Sequence, residues 1–156
     1  MQKEKIDLDF DYAEFQIIKE PWNLYRLEDG ALLKLKLVLI KVVREKQTDD
    51  KGNPILSFNH QNIVGVLSPP ELRGQPSPEG KQPQIKQKDI NFKPEKDEEW
   101  NEYQLEDGTV LKGKNVIVMV NKTDKFDSHG EPIYTVETQT IFKIIPKFNQ
   151  VSVKKH

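Results

Sequence analysis

Apolar and polar residues alternate in short blocks along this chain, and turns bearing glycine or proline separate the blocks. Leu37–Val43 and Val116–Val120 are rich in β-branched residues and too short for a stable helix, so both are predicted strands. Ile55-Leu56-Ser57-Phe58 and Ile133-Tyr134-Thr135-Val136 read the same way, and Ile63–Leu67 and Ile141–Ile145 continue or follow them. Further strands are expected from Glu14–Ile18 and Asp89–Phe92, while Ile6, Leu8 and Phe10 alternate as an edge strand would.

The pattern occurs twice. Trp22–Leu67 aligns on Trp100–Ile145 without a gap, and 18 of the 46 pairs are identical, too many for chance. Trp22-Asn23-Leu24-Tyr25-Arg26-Leu27-Glu28-Asp29-Gly30 matches Trp100-Asn101-Glu102-Tyr103-Gln104-Leu105-Glu106-Asp107-Gly108. Glu-Asp-Gly between apolar segments suits a tight hairpin in which Gly30 and Gly108 supply positive φ. A longer turn follows in each copy, Asp49 to Pro54 and Asp127 to Pro132, with the proline at the entry to the next strand, where no ladder donor is needed.

These elements predict an all-β protein of two tandem small β-barrel-like modules, four to five strands each, related by internal duplication. The first module with an N-terminal tail spans 1–67, and the second with a basic C-terminal tail spans 94–156. Between them, residues 68–93 are rich in proline, lysine and glutamine and are expected to be an extended linker. A module of roughly 60 residues buries only about 60% of its unfolded surface. With no cysteine to add disulfides, the copies are expected to pack on one another or on a partner chain.

Charge changes this picture little. The net charge is −1, with +2 over residues 15–67 and −3 over 99–145, which disfavours one nucleic-acid surface running across both copies. Apolar runs such as Leu37–Ile40 are far too short to cross a bilayer, and Met1-Gln2-Lys3-Glu4-Lys5 lacks the apolar stretch of a secretion signal. No membrane partner is expected, and cytoplasm is the expected compartment.

Candidate chemistry is sparse. The turn Asp49-Asp50-Lys51-Gly52-Asn53 only faintly resembles a calcium loop: Lys51 stands at a ligand position and His60 at the twelfth, where a glutamate is needed. His60, His129 and His156 are scattered, without zinc-site spacing. Glu28-Asp29 and Glu106-Asp107 are adjacent carboxylates in hydrated turns, better read as structural than as acid–base pairs. No nucleophile elbow, phosphate-cradling loop or dinucleotide fingerprint is present, so no enzyme, cofactor or metal is expected.

Two surfaces remain. Leu35, Leu37 and Val43 stand where the second copy has Gly113, Asn115 and Asn121, so the strand carrying Leu35, Leu37, Leu39 and Val43 is expected to form an interface with the second module or another protein. Changing Leu35 and Leu37 to Ser should then alter assembly and leave the second module folded. Trp22 and Tyr25, with Lys34 and Lys36, and Trp100 and Tyr103, with Lys112 and Lys114, are candidate base-stacking and phosphate contacts, although plugging the end of each small core is the simpler role. The function expected is a non-catalytic binding or scaffold protein, an accessory or assembly subunit with a protein partner or self-association. A single-stranded nucleic-acid binder is the alternative.

Overall fold

The four turns fold as the glycines require. In the computed structural model, which describes residues 10–147, Gly30, Gly52, Gly108 and Gly130 all have positive φ. The Asp49 and Asp127 carboxylates each accept two amides of their own turn, from Lys51 and Asn53 and from His129 and Glu131. The strands between the turns are β1 Phe10–Ala13, β2 Phe15–Lys19, β3 Trp22–Leu27, β4 Leu32–Thr48, β5 Pro54–Leu67, β6 Ile85–Gln87, β7 Phe92–Pro94, β8 Asn101–Leu105, β9 Val110–Phe126 and β10 Pro132–Ile145. A 3₁₀ turn spans Pro70–Leu72. Ile6, Leu8 and the basic tail lie outside them.

The protein is all-β, with two five-stranded sheets. In the first, β5 pairs with one edge of β4; β3 and β1 share the other edge, and β7 flanks β3. In the second, β10 pairs with β9, β8 and β6 share its far edge, and β2 flanks β8. The ladders match at the offset of the sequence repeat. Leu32 opposes Leu67 as Val110 opposes Ile145, and each long strand has a bulge at the same place, Ile40 in β4 and Val118 in β9. The bulge reverses the alternation, so Leu33, Leu35, Leu37, Leu39 and then Val42 point inward.

The two closed barrels expected from sequence do not form: among the described residues, neither sheet joins its outer strands. The physical reason is strand length. At 17 residues, β4 and β9 far outrun β3 and β8, of six and five residues. The strands β1 and β6 cover the overhang. The chain then crosses over, so that β2, ahead of the first tryptophan, completes the second sheet, while β7, ahead of the second, completes the first. The segment expected to be a linker is thus partly built into the sheets, and Ile90 within it is 1% exposed.

Each core draws on both halves. Tyr25, Leu27, Leu33 and Leu35 pack with Val120, whereas Tyr103, Leu105 and Leu111 pack with Leu39 and Val42. Phe92 meets Tyr25 edge-on at 6.0 Å, and Phe15 meets Tyr103 at 5.7 Å. These contacts anchor the crossing strands.

Gly52 and Gly130 have matching φ, +80° and +79°, but different surroundings. A Cβ on Gly52 meets open space, whereas one on Gly130 collides with the Gly74 carbonyl oxygen. Gly74 also donates its amide to the Gly130 carbonyl at 2.8 Å. Gly52→Ala should therefore cost about 1–2 kcal/mol, the left-handed backbone penalty alone. Gly130→Ala should cost about 1 kcal/mol more and loosen the strap around Gly74. Urea titration gives the energies, and amide exchange at Gly74 reports the strap.

Candidate functional site: the open side of the sandwich

Trp22 lies opposite Lys36 on the outer face of the first sheet, with the Lys34 ammonium 4.5 Å and the Lys36 ammonium 5.6 Å from its ring. Trp100 lies on the outer face of the second sheet under Lys143 at 4.5 Å and Lys114 at 5.7 Å. Lys114 also approaches Glu98 at 3.7 Å, and Lys112 lies 3.9 Å from Glu102. The tryptophans therefore serve opposite surfaces, each with a ring face already covered by a lysine.

Tyr25 and Tyr103 are inside. Tyr25 donates to Glu98 at 2.6 Å, and Tyr103 donates to Glu20 at 2.7 Å while accepting from Asn101. Glu20 and Glu98 themselves stand at matched positions of the repeat, so each half holds the tyrosine of the other. Tyr134 donates to Asp29 at 2.6 Å. Burial first, then the hydrogen bond to a carboxylate, raises the pKa of all three hydroxyls. A group with a raised folded pKa gives its full contribution below the unfolded value, about 10 for tyrosine, and loses it as pH rises. Stability should therefore fall above pH ~10, by at most about 1.4 kcal/mol per pH unit for each tyrosine. Tyrosinate absorbance of these three should appear together with unfolding in a pH-jump titration.

Leu35, Leu37 and Leu39 are buried within the chain, and Val43 is half-buried on the outer side of β4. Leu37 lies over Gly113 of the second sheet, where a Cβ would stand 2.8 Å from its Cδ2. The leucine stripe is covered by the second half of the same molecule. Among the described residues no group of three or more His, Asp or Glu side chains is placed to hold a metal ion, and no helix is long and apolar enough to cross a membrane.

What lies uncovered is one side of the sandwich. Strand β5 pairs only with β4, and β10 only with β9, among the described residues. Each is 14 residues long. Residues directly opposed across a ladder share a face, so Val66, Val64, Asn62, His60 and Phe58 point inward like their partners on β4. They meet the inner face of β10: Asn62 donates to Thr138 and Thr140, both at 3.2 Å, and the Phe58 and Phe142 rings stack at 4.2 Å. The two unpaired edges therefore lie over one another on the same side.

That side has two unlike ends. Phe58 and Phe142 close one of them. At the other, the matched positions of the repeat hold Val136 and Val64, and a cleft of about 340 Å³ opens, lined by Val64, Val66, Glu131, Ile133, Tyr134 and Val136. Val64 is 41% exposed although it sits on an inward face. Strand β5 has no Asp, Glu, Lys or Arg, and β10 has only Glu137 and Lys143. Edges of soluble sheets are ordinarily blunted by charge, proline or a covering segment. The charge-free run Pro54–Leu67 is the signal of this surface in the sequence, and it contains none of the aromatic residues expected to stack on bases.

No family model, no curated protein and no solved structure matches this chain.

Proposed function

We propose that this chain is a non-catalytic assembly or accessory subunit, built by duplication of one β module, that joins other protein through the open side formed by β5 and β10. One observation carries the reading: two 14-residue edges with two charged residues between them lie together, and apolar side chains reach the surface there. Main-chain pairing along an edge strand supplies affinity, and alternate side chains supply selectivity. The pair-for-pair match of the two ladders, bulge included, supports the duplication. Single-stranded nucleic-acid binding has less support. Tyr25 and Tyr103 are enclosed, and Trp22 and Trp100 face opposite ways under lysines. Native mass spectrometry of the protein isolated from its source at low salt tests the reading. The expected result is a defined protein assembly; bound oligonucleotide that leaves as salt rises would reverse the choice.

A further inference from the structure

We propose that the occupant of the open side is a second copy of this chain, paired antiparallel edge to edge in a two-fold dimer that extends both sheets at once. The inference rests on the reading of that side as a docking surface and adds its partner and register. Three observations converge on one register.

The first is charge. Glu137 and Lys143 are the only charged residues of β10, both exposed on its outer face; neither forms an ion pair among the described residues, and the Lys143 ammonium rests over the Trp100 ring at 4.5 Å. In an antiparallel pairing of β10 with itself, the register that sets Glu137 against Lys143 of the second copy also sets Lys143 against its Glu137. Both pairs lie on one face, as directly opposed residues do. This register centres on Thr140, which opposes itself.

The second is the position of that centre. Asn62, near the middle of β5, donates across the sandwich to Thr140 and to its neighbour Thr138, both at 3.2 Å. A two-fold axis perpendicular to the sheets at Thr140 therefore also passes by Asn62. The operation that pairs β10 with its copy brings β5 against its copy, with Asn62 opposing itself. A closed two-fold interface requires such self-complementarity.

The third is shape. The same rotation sets the aromatic end of each molecule against the cleft end of the other. Phe58 comes to oppose Val66, and Phe142 and Ile144 come to oppose Thr138 and Val136. Large side chains meet smaller ones, of which Val66 and Val136 line the cleft. The dimer would contain two continuous ten-stranded sheets.

Cross-strand ion pairs are individually weak, and like charges directly opposed are unfavourable by a similar amount. The charges therefore set register, and reversing one of them can be repaired by reversing the other. Sedimentation velocity of the full chain is expected to give twice the 18.2 kDa chain mass. Glu137→Lys should weaken the dimer about tenfold or more, since two repulsive pairs replace two attractive ones. Lys143→Glu alone should do the same, and the double variant Glu137→Lys/Lys143→Glu should regain the wild-type dissociation constant. Circular dichroism checks that each variant is folded, and all these changes are on an exposed face. A wild-type monomer at micromolar concentration overturns the proposal, as does a dimer indifferent to the single reversals or not rescued by the double one. Amide exchange separates this failure from failure of the wider reading. If the monomer, in an assembly isolated from its source, protects β5 and β10 with a different protein, only self-pairing falls. If those edges exchange freely in that assembly, the docking side falls with it.

Discussion

Leu35→Ser/Leu37→Ser is expected to unfold the whole chain, with loss of both sheets in one step. The two leucines are 1% and 3% exposed. Leu35 shares a core with Tyr25, Leu27 and Leu33 of its own sheet and Val120 of the other, and Leu37 lies on Gly113. Removing a buried leucine side chain to the β-carbon costs about 2–5 kcal/mol, and a buried hydroxyl without a partner adds about 1–3 kcal/mol. The pair together should cost roughly 6 kcal/mol or more, at the scale of a domain's whole stability of about 5–15 kcal/mol. Because β2 and β7 are exchanged between the sheets, neither half retains a complete core when the other opens. Expected observations are loss of the far-ultraviolet strand signal and a simultaneous change in emission from Trp22 and Trp100. Ile40→Ser is the control: Ile40 sits at the bulge, 47% exposed, and should cost less than about 1 kcal/mol. A second half that kept its fold in the double variant, as an independent module would, would contradict the interlocked architecture.

The leucine stripe also marks how far sequence could reach. Strand positions and turns were legible because glycine at positive φ and the two-residue period of a half-buried strand are local properties. Leu35 and Leu37 stand where the matched copy has Gly113 and Asn115, and in the fold Leu37 lies over Gly113 while Leu35 packs with Val120. The partners of Phe15 and Phe92 were not legible. Both segments were expected as strands, but nothing in four or five residues says that each belongs to the opposite sheet. That choice is made by Tyr103 and Tyr25, whose rings and hydroxyls need Phe15 with Glu20 and Phe92 with Glu98. Ile40 hid in the same way. A single bulge residue reverses which apolar positions face inward, so Leu37–Val43 looks apolar on both faces when its phase simply changes midway. The open side was missed for a different reason. Absence of charge along Pro54–Leu67 is visible in sequence, yet it gains meaning only once that run is known to be an edge.

The Glu-Asp-Gly turns give the sharpest contrast between matched residues, and Asp29→Ala should cost about 4 kcal/mol where Asp107→Ala costs about 1–2 kcal/mol. Both aspartates bond the amide two residues on, Ala31 at 3.0 Å and Thr109 at 2.9 Å, so the turn itself contributes equally to the two. Both also reach the far half of the molecule: Asp29 meets Lys122 at 3.1 Å and Asp107 meets Arg44 at 3.2 Å, cations at matched positions of the repeat. The surroundings differ. Asp29 and Lys122 are each 13% exposed, and Asp29 also accepts from Tyr134. Asp107 is 44% exposed, and Arg44 keeps Glu106 at 2.7 Å if Asp107 is lost. Removing Asp29 therefore leaves an enclosed ammonium and a phenol without their acceptor, whereas removing Asp107 leaves a hydrated, still paired guanidinium. Burial acts to raise the Asp29 pKa, but hydrogen bonds from Tyr134, Ala31 and Lys122 outweigh it and hold the carboxyl below its ordinary value. A lowered folded pKa gives stability that is present above the unfolded value, about 3.9, and is lost as pH falls through the folded one. Asp29→Asn, which can still bond the Ala31 amide, should accordingly lose the ion pair at pH 7 and flatten the acid limb of the stability profile. Asp29→Leu/Lys122→Met should recover much of the loss, because an apolar pair leaves no enclosed charge. Urea titrations of the four variants at pH 7 and pH 3 measure all of this, and equal costs at Asp29 and Asp107 would mean that the Lys122 pair contributes nothing beyond the turn.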